Sequence, residues 1–423
     1  MSNILFCMAP LVSETYGSFR LAKQLRQQGH RVVYMGVPDG QELVEREGFT
    51  YVCVFERYFP KGYARSALSN SGLARGFAVL VAALLSGADR SIHGVVESLR
   101  PDLVIVGTQE FPTALFALIA HRYGARHICL NQTFHRMPVL EEAGLRSRPP
   151  DPRWLNDFDK LAKFYEFPAK YLGLNATHTF PLAAPLLFVC PSELELPESI
   201  VAGCCYAEAS IDFDRREPAF DWSVLDPGKP LIYCTLGSLM PLGADSNQRF
   251  YQDVITALRN KPSMQAVIST GPALHPAAFN SVPPNVHLVN WAPQLSLLNR
   301  ACLVITSGGI STIKEAILMG VPIVVVPQWN DQWDNATRVS FHGIGTTANF
   351  QDINPDTILG LIDSVKDSSL IRKRIGAMSK VFKEKESSNV ALEFVNGVIA
   401  APAGNGTVAG GNYPEMPPGM CGM

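Results

Sequence analysis

At 423 residues, 47% apolar and 17% charged, the chain is long enough for two globular domains with sizeable cores. A formal net charge of −2 gives no support to nucleic acid or an anionic membrane as a partner. The nine cysteines form no CxxC pair, and Cys204 and Cys205 are adjacent, so they read as buried thiols of a reducing cytoplasmic compartment and not as a disulfide framework or metal site.

The chain opens on "NILFCMAP", a short apolar run with no basic segment before it, which reads as a buried parallel strand and not as a secretory signal. Helical spacing of Phe19, Leu21, Ala22 and Leu25 follows in "SFRLAKQLRQQGH", stopped at Gly29. The strand "RVVYMGV", the short helix "QELVEREG" and the strand "TYVCVF" come next. The longest apolar run, "GFAVLVAALLSGA" at 76–88, falls short of the ~20 residues a spanning helix needs. It reads as a buried helix; the sharper alternatives are an apolar acceptor pocket or a peripheral membrane contact. "PDLVIVG", "TALFALIAHRYGA" and "RHICLNQ" repeat the strand and helix cycle, which predicts an α/β fold with a parallel sheet and right-handed crossovers.

Composition shifts to charged and proline-containing between 206 and 230, and the cycle then restarts with "PLIYCTLGS", "QRFYQDVITALRN", "MQAVIST", "NVHLVNW", "LVITSGG" and "PIVVVPQ". The pattern predicts a Rossmann-like domain at 1–210, a linker at 211–229, a second Rossmann-like domain at 230–400 and a disordered Gly- and Pro-rich tail at 401–423. Two such sheets joined by a polar linker put a cleft between them, and ligands of open parallel sheets bind beyond the carboxyl ends of the strands.

The stretch "TSGGISTIKEAILMG" combines a glycine turn at Gly308 and Gly309 with a helix start at Ser311 or Thr312. A helix N-terminus with free N–H groups is a ready anion site. The same residues also fit a capping box between Thr312 and Glu315, which would make Glu315 merely structural. Upstream, Trp291 offers a flat face to a base or else a core side chain. Downstream, Asp331, Gln332 and Asn335 crowd a loop after an apolar strand.

The series W-x-P-Q, S-G-G-x-x-T-x-x-E-A and P-Q-x-x-D-Q-x-x-N-A, over residues 290–336, resembles the donor site of UDP-sugar-dependent glycosyltransferases of the GT-B fold, in particular the macrolide and carotenoid glucosyltransferase group. The resemblance covers most of the chain. It implies two Rossmann-like domains facing across a cleft, inverting transfer of a hexose from a UDP-sugar such as UDP-glucose, and no bound metal or other cofactor. By the same resemblance Trp291 stacks on uracil with Gln294 beside it, and Glu315 accepts the ribose hydroxyls. Gly237, Ser238, Ser307, Gly309, Ser311 and Thr312 hold the diphosphate, while Asp331 and Gln332 bind the hexose.

Three positions depart from that pattern. Ser307 stands where the family usually has a phosphate-binding His. Glu14 stands where it has the His that acts as general base, and Gly107 stands where it has the Asp that orients that His. A carboxylate on the loop after the first strand, Glu14, is then the candidate base, with His135 in "NQTFHRMP" the alternative and Glu110 on a nearby loop. The implied acceptor is a small apolar natural product or lipid bearing a hydroxyl. Two rivals remain open: an enzyme using a dTDP-deoxysugar, and a non-catalytic partner protein that keeps the GT-B fold.

Overall fold

The computed structural model describes residues 1–63, 71–108, 113–134, 152–173, 181–182, 185–238, 243–271, 274–329 and 331–401. His135, Glu110 and the 402–423 part of the tail lie outside them. The first half contains β1 (Asn3–Cys7), α1 (Val12–Gln27), β2 (Arg31–Gly36), α2 (Gln41–Glu45), β3 (Thr50–Cys53), α3 (Ser71–Ser86), α4 (Ser91–Leu99), β4 (Leu103–Gly107), α5 (Ala114–His121), β5 (Arg126–Asn131), α6 (Pro152–Phe164), β6 (Leu186–Phe188) and β7 (Cys205–Tyr206). Its seven strands run parallel in the order β3-β2-β1-β4-β5-β6-β7.

The second half contains β8 (Leu231–Thr235), α7 (Gly243–Arg259), β9 (Gln265–Ser269), β10 (Val286–Val289), α8 (Gln294–Leu298), β11 (Ala301–Thr306), α9 (Ile310–Met319), β12 (Ile323–Val325), α10 (Gln332–His342), β13 (Gly345–Thr347), α11 (Pro355–Lys366), α12 (Ser369–Glu386) and α13 (Val390–Ala400). Its six strands are also parallel, in the order β10-β9-β8-β11-β12-β13. The central strands β1, β4, β8 and β12 are apolar on both faces because helices cover both sides, which is why they read as continuous hydrophobic runs.

In each sheet the strand order reverses at one point, between β1 and β4 in the first and between β8 and β11 in the second. Loops leaving neighbouring strands there diverge to opposite faces and open a crevice. Glu14 and Gly107 flank the first crevice. Gly237 and Ser307 to Gly309 flank the second.

The two halves share a continuous apolar cluster that includes Leu194 and Ala209 of the first and Ile313 and Ile317 of the second. Buried polar groups stitch the same boundary. Lys314 Nζ of α9 donates to the Val189 and Ala209 carbonyls at 2.8 and 3.0 Å. Arg338 of α10 pairs with Glu195 at 2.6 Å, with both side chains sealed from solvent. Removing one member of such a pair leaves an uncompensated buried charge and costs about 3–5 kcal/mol.

The last helix crosses back. Ala391, Val395 and Val398 of α13 pack on Ile4, Leu103, Ile128 and Leu187 of the first sheet, and Glu208 accepts from the Ala391 N–H at 3.1 Å. Sequence reading ends the second domain at 400, yet α13 belongs to the first core, because its apolar stripe finds uncovered sheet there. Among the described residues no single helix is long and apolar enough to cross a membrane; Gly76–Ser86 and Ser91–Leu99 pass such a test only together, and they are bent by 70°.

Candidate active site

At the first crevice, α1 begins at Val12, so Glu14 sits in its first helical turn and not on the preceding loop. "VSETY" holds no helix breaker, and an acidic side chain is favoured at that end of the helix dipole. Glu14 is 1% exposed. Its carboxylate lies directly over Gly107 at the end of β4: a Cβ at 107 would overlap Glu14 Oε1 and stand 2.9 Å from Glu14 Cδ. Only a residue without a side chain at 107 leaves room for the Glu14 carboxylate.

Neighbouring polar groups hold this arrangement. Gln132 Nε2 donates to the Glu14 carbonyl, and the Gln132 carboxamide fills the space that a side chain at Gly17 would need. Thr113 Oγ1 donates to the Gly107 carbonyl at 2.6 Å, and Thr108 Oγ1 to Asn131 Oδ1 at 2.8 Å.

At the second crevice, Gly237 follows β8 with φ +83°, and Gly308 follows β11 with φ +93°. A side chain at 308 would also collide with Val325 Cγ1 at 2.6 Å, so only glycine fits this turn. Gly309 is the N-cap of α9 and gives it no side-chain cap, which leaves the first N–H groups of the helix available to an anion. Ser311 and Thr312 lie in that first turn. Because the helix starts at Ile310, the capping box between Thr312 and Glu315 does not form. The Glu315 side chain has other partners.

Those partners are the most consequential feature of the site. Arg215, from the linker, donates to Glu315 Oε1 at 2.5 Å and to Oε2 at 3.1 Å. Gln294 Nε2 donates to Oε2 at 2.7 Å, while Gln294 Oε1 accepts from the Tyr233 hydroxyl at 3.1 Å. Burial pulls the Arg215 pKa down, but Glu315 beside it more than compensates and leaves it raised. The guanidinium also lies 5.5 Å from the ring centre of Tyr16, two residues beyond Glu14, so one side chain reaches from Glu315 of the second half to α1 of the first. Sequence reasoning missed Arg215. It is one of two arginines in a charged linker, and nothing local distinguishes it from Arg216.

The remaining donor-site candidates fall around this centre. Trp291, between β10 and α8, is 44% exposed, so its ring is not a core element and is open to stacking. Ser307 is 2% exposed, and its hydroxyl donates to the Leu236 carbonyl at 3.0 Å, which binds the turn after β11 to the turn after β8. Ser238 follows Gly237 on the latter turn. Asp331 caps the backbone start of α10, and its Oδ2 accepts from Asn335 Nδ2 at 2.9 Å; the same amide donates to the Gly308 carbonyl at 3.0 Å. Gln332 turns its carboxamide oxygen back onto the Gln328 and Trp329 N–H groups at 2.9 and 3.2 Å. No three His, Cys, Asp or Glu side chains among the described residues come together to hold a metal ion.

Known proteins share this architecture. Residues 232–392 match the family model described as "UDP-glucoronosyl and UDP-glucosyl transferase". The NDP-glycosyltransferase YjiC of Bacillus licheniformis is 29% identical over 181 residues, 43% of this chain and 44% of that relative's length. The oleandomycin glycosyltransferase of Streptomyces antibioticus is 23% identical over 84% of this chain and 82% of its own. The crystal structure of the glycotransferase of kitacinnamycin superposes with a TM-score of 0.73 at 22% identity, covering 93% of this chain and 98% of that one. A doubly wound sheet pair, an uncapped glycine turn at the second switch point and these matches lead to one conclusion: the chain has the two-domain GT-B fold of these glycosyltransferases, and its residues 232–392 match the UDP-glucoronosyl and UDP-glucosyl transferase family model.

Proposed function

We propose that this protein is an inverting glycosyltransferase that moves a hexose, glucose in the simplest case, from a UDP-sugar to a hydroxyl of a small apolar natural product or lipid. The observation that carries the reading is the pair of switch points, an uncapped helix N-terminus at one and a buried carboxylate at the other, joined through Arg215. Trp291 stacks on the base, and Gln294 and Glu315 meet the nucleoside. The turns at Gly237–Ser238 and Ser307–Gly309, with the α9 N-terminus at Ser311 and Thr312, receive the diphosphate. Asp331 and the Gln332 amide meet the hexose. The acceptor oxygen attacks the anomeric carbon from the face opposite the diphosphate while its proton passes to Glu14. The bond to the diphosphate breaks, and the negative charge that develops on it falls on the helix N-terminus. A relative named for oleandomycin supports a natural-product acceptor.

The test is product formation from UDP-glucose and a panel of hydroxyl acceptors, with the anomer read by NMR and UDP binding by calorimetry. The α-linked donor gives a β-glycoside. Asp331→Ala lowers transfer strongly with UDP affinity nearly intact. Absence of UDP binding at millimolar concentration, or retention of configuration, overturns the reading. Donor binding without hydrolysis or transfer to any acceptor points to a non-catalytic partner protein instead.

A further inference from the structure

The Glu315 carboxylate can be counted lone pair by lone pair. An ionised carboxylate offers about four acceptor sites. Arg215 Nη1 uses one on Oε1 at 2.5 Å, Arg215 Nη2 one on Oε2 at 3.1 Å, and Gln294 Nε2 the second on Oε2 at 2.7 Å. One acceptor site is left, on Oε1. A ribose brings two hydroxyls to that carboxylate, and a 2′-deoxyribose brings one. We propose that Arg215 is a specificity-determining residue: it leaves Glu315 room for a single sugar hydroxyl, so the site takes ribose and 2′-deoxyribose nucleoside diphosphates alike. This inference rests on the donor-site reading above and extends it to the nucleotide class.

Arg215 is not free to swing aside. It grips Glu315 through two parallel bonds, the geometry in which guanidinium and carboxylate bind best. The Tyr16 ring backs it, and Glu217 stands 3.6 Å from Nη2. The linker on either side is tied down. The Arg216 N–H donates to Glu47 of the first half at 3.2 Å, and Glu217 accepts from the Leu295 and Ser296 N–H groups of α8 at 2.6 and 3.1 Å. Glu315 is 3% exposed, so withdrawing the guanidinium would strand a buried carboxylate with only Gln294 beside it.

The experiment is calorimetric binding of UDP and of 2′-deoxy-UDP, which differ only at the 2′ position, to the full-length wild-type chain and to Arg215→Met. Wild type is expected to bind the two within about twofold of each other. Arg215→Met returns two acceptor sites to Glu315 and should favour UDP by roughly tenfold or more, the worth of one hydrogen bond to a charged group. A wild type that prefers UDP tenfold overturns the proposal without any variant, so failure of Arg215→Met to fold does not shelter it. If both nucleotides bind and the variant keeps the wild-type ratio, the donor site stands and the role of Arg215 falls. If neither binds at millimolar concentration, the donor site itself is wrong and this inference goes with it.

Discussion

Replacing Gly107 by alanine adds one methyl group at a position assigned no donor contact. Its Cβ would overlap Glu14 Oε1, stand 2.9 Å from Glu14 Cδ and stand 2.9 Å from Met8 Cε, where ordinary carbon contacts begin near 3.4 Å. The Met8 terminus is flexible enough to yield. The carboxylate is held by a helix whose first turn is fixed through Gln132, so Glu14 must withdraw along its own side chain by about 1 Å or more. A displacement of that size at a reacting group costs about 10²-fold in rate, some 2.7 kcal/mol on the barrier. Overpacking adds about 1–3 kcal/mol of lost stability, which a thermal melt reads separately. The assay is UDP release from UDP-glucose at saturating donor with an alcohol acceptor, alongside UDP affinity by calorimetry. Expected are a kcat reduced about a hundredfold, an unchanged UDP affinity and a smaller loss with an acidic phenol acceptor. Glu14→Gln should lose about 10²-fold as well, and the double variant little more than either single one, because both remove the same function. Near-full activity of Gly107→Ala on the alcohol would refute the assignment of Glu14 as base and turn attention to His135.

Trp291→Ala should leave the melting temperature almost unchanged, since the ring is 44% exposed, but weaken UDP by the loss of base stacking, roughly 1–3 kcal/mol or 5- to 150-fold by calorimetry. Ser307→Ala should cost about 1–2 kcal/mol of stability, measured by denaturant titration, with UDP affinity held within a few-fold, because its hydroxyl serves the Leu236 carbonyl; a tenfold loss of UDP binding would show that the hydroxyl turns to the phosphate. Burial lowers the pKa of Lys314, so the unfolded chain binds that proton more readily than the folded one. The resulting penalty is fully present at low pH and is relieved as pH rises through the folded pKa towards the ordinary lysine range. The stability of wild type relative to Lys314→Met should therefore rise with pH as the alkaline range approaches the ordinary lysine pKa of about 10.4, and a flat difference would refute the desolvation argument.

Most of the ten strands legible in the sequence are those whose burial on both faces writes an apolar run, as in "LVIVG" and "IVV" with its flanks, while β3 and β10 are half-exposed edge strands read from their β-branched and aromatic residues. The strands β6, β7 and β13, of three, two and three residues, are too short to leave a period and exist because a longer neighbour offers them a ladder. The donor-site candidates were legible for a related reason. Trp291, Ser307 to Glu315 and Asp331–Gln332 lie within 42 residues of one another in sequence and at the ends of consecutive strands, so local order carries their spatial order.

Tertiary structure alone decided the rest. Whether Glu315 caps its own helix depended on where α9 begins, and the glycine turn packed against Val325 sets that start at Ile310. The partner of Glu315 lies 100 residues away on a linker with no pattern of its own. Glu14 and Gly107 are 93 positions apart, and only the adjacency of β1 and β4 makes the bare backbone at 107 the seat of the Glu14 carboxylate. A sequence records what each segment buries along its own length, through period, propensity and turn chemistry. Which charge meets which, and which side chain fills which vacated space, are set by strand order and by the helices that close on it, so these pairings emerged only with the fold.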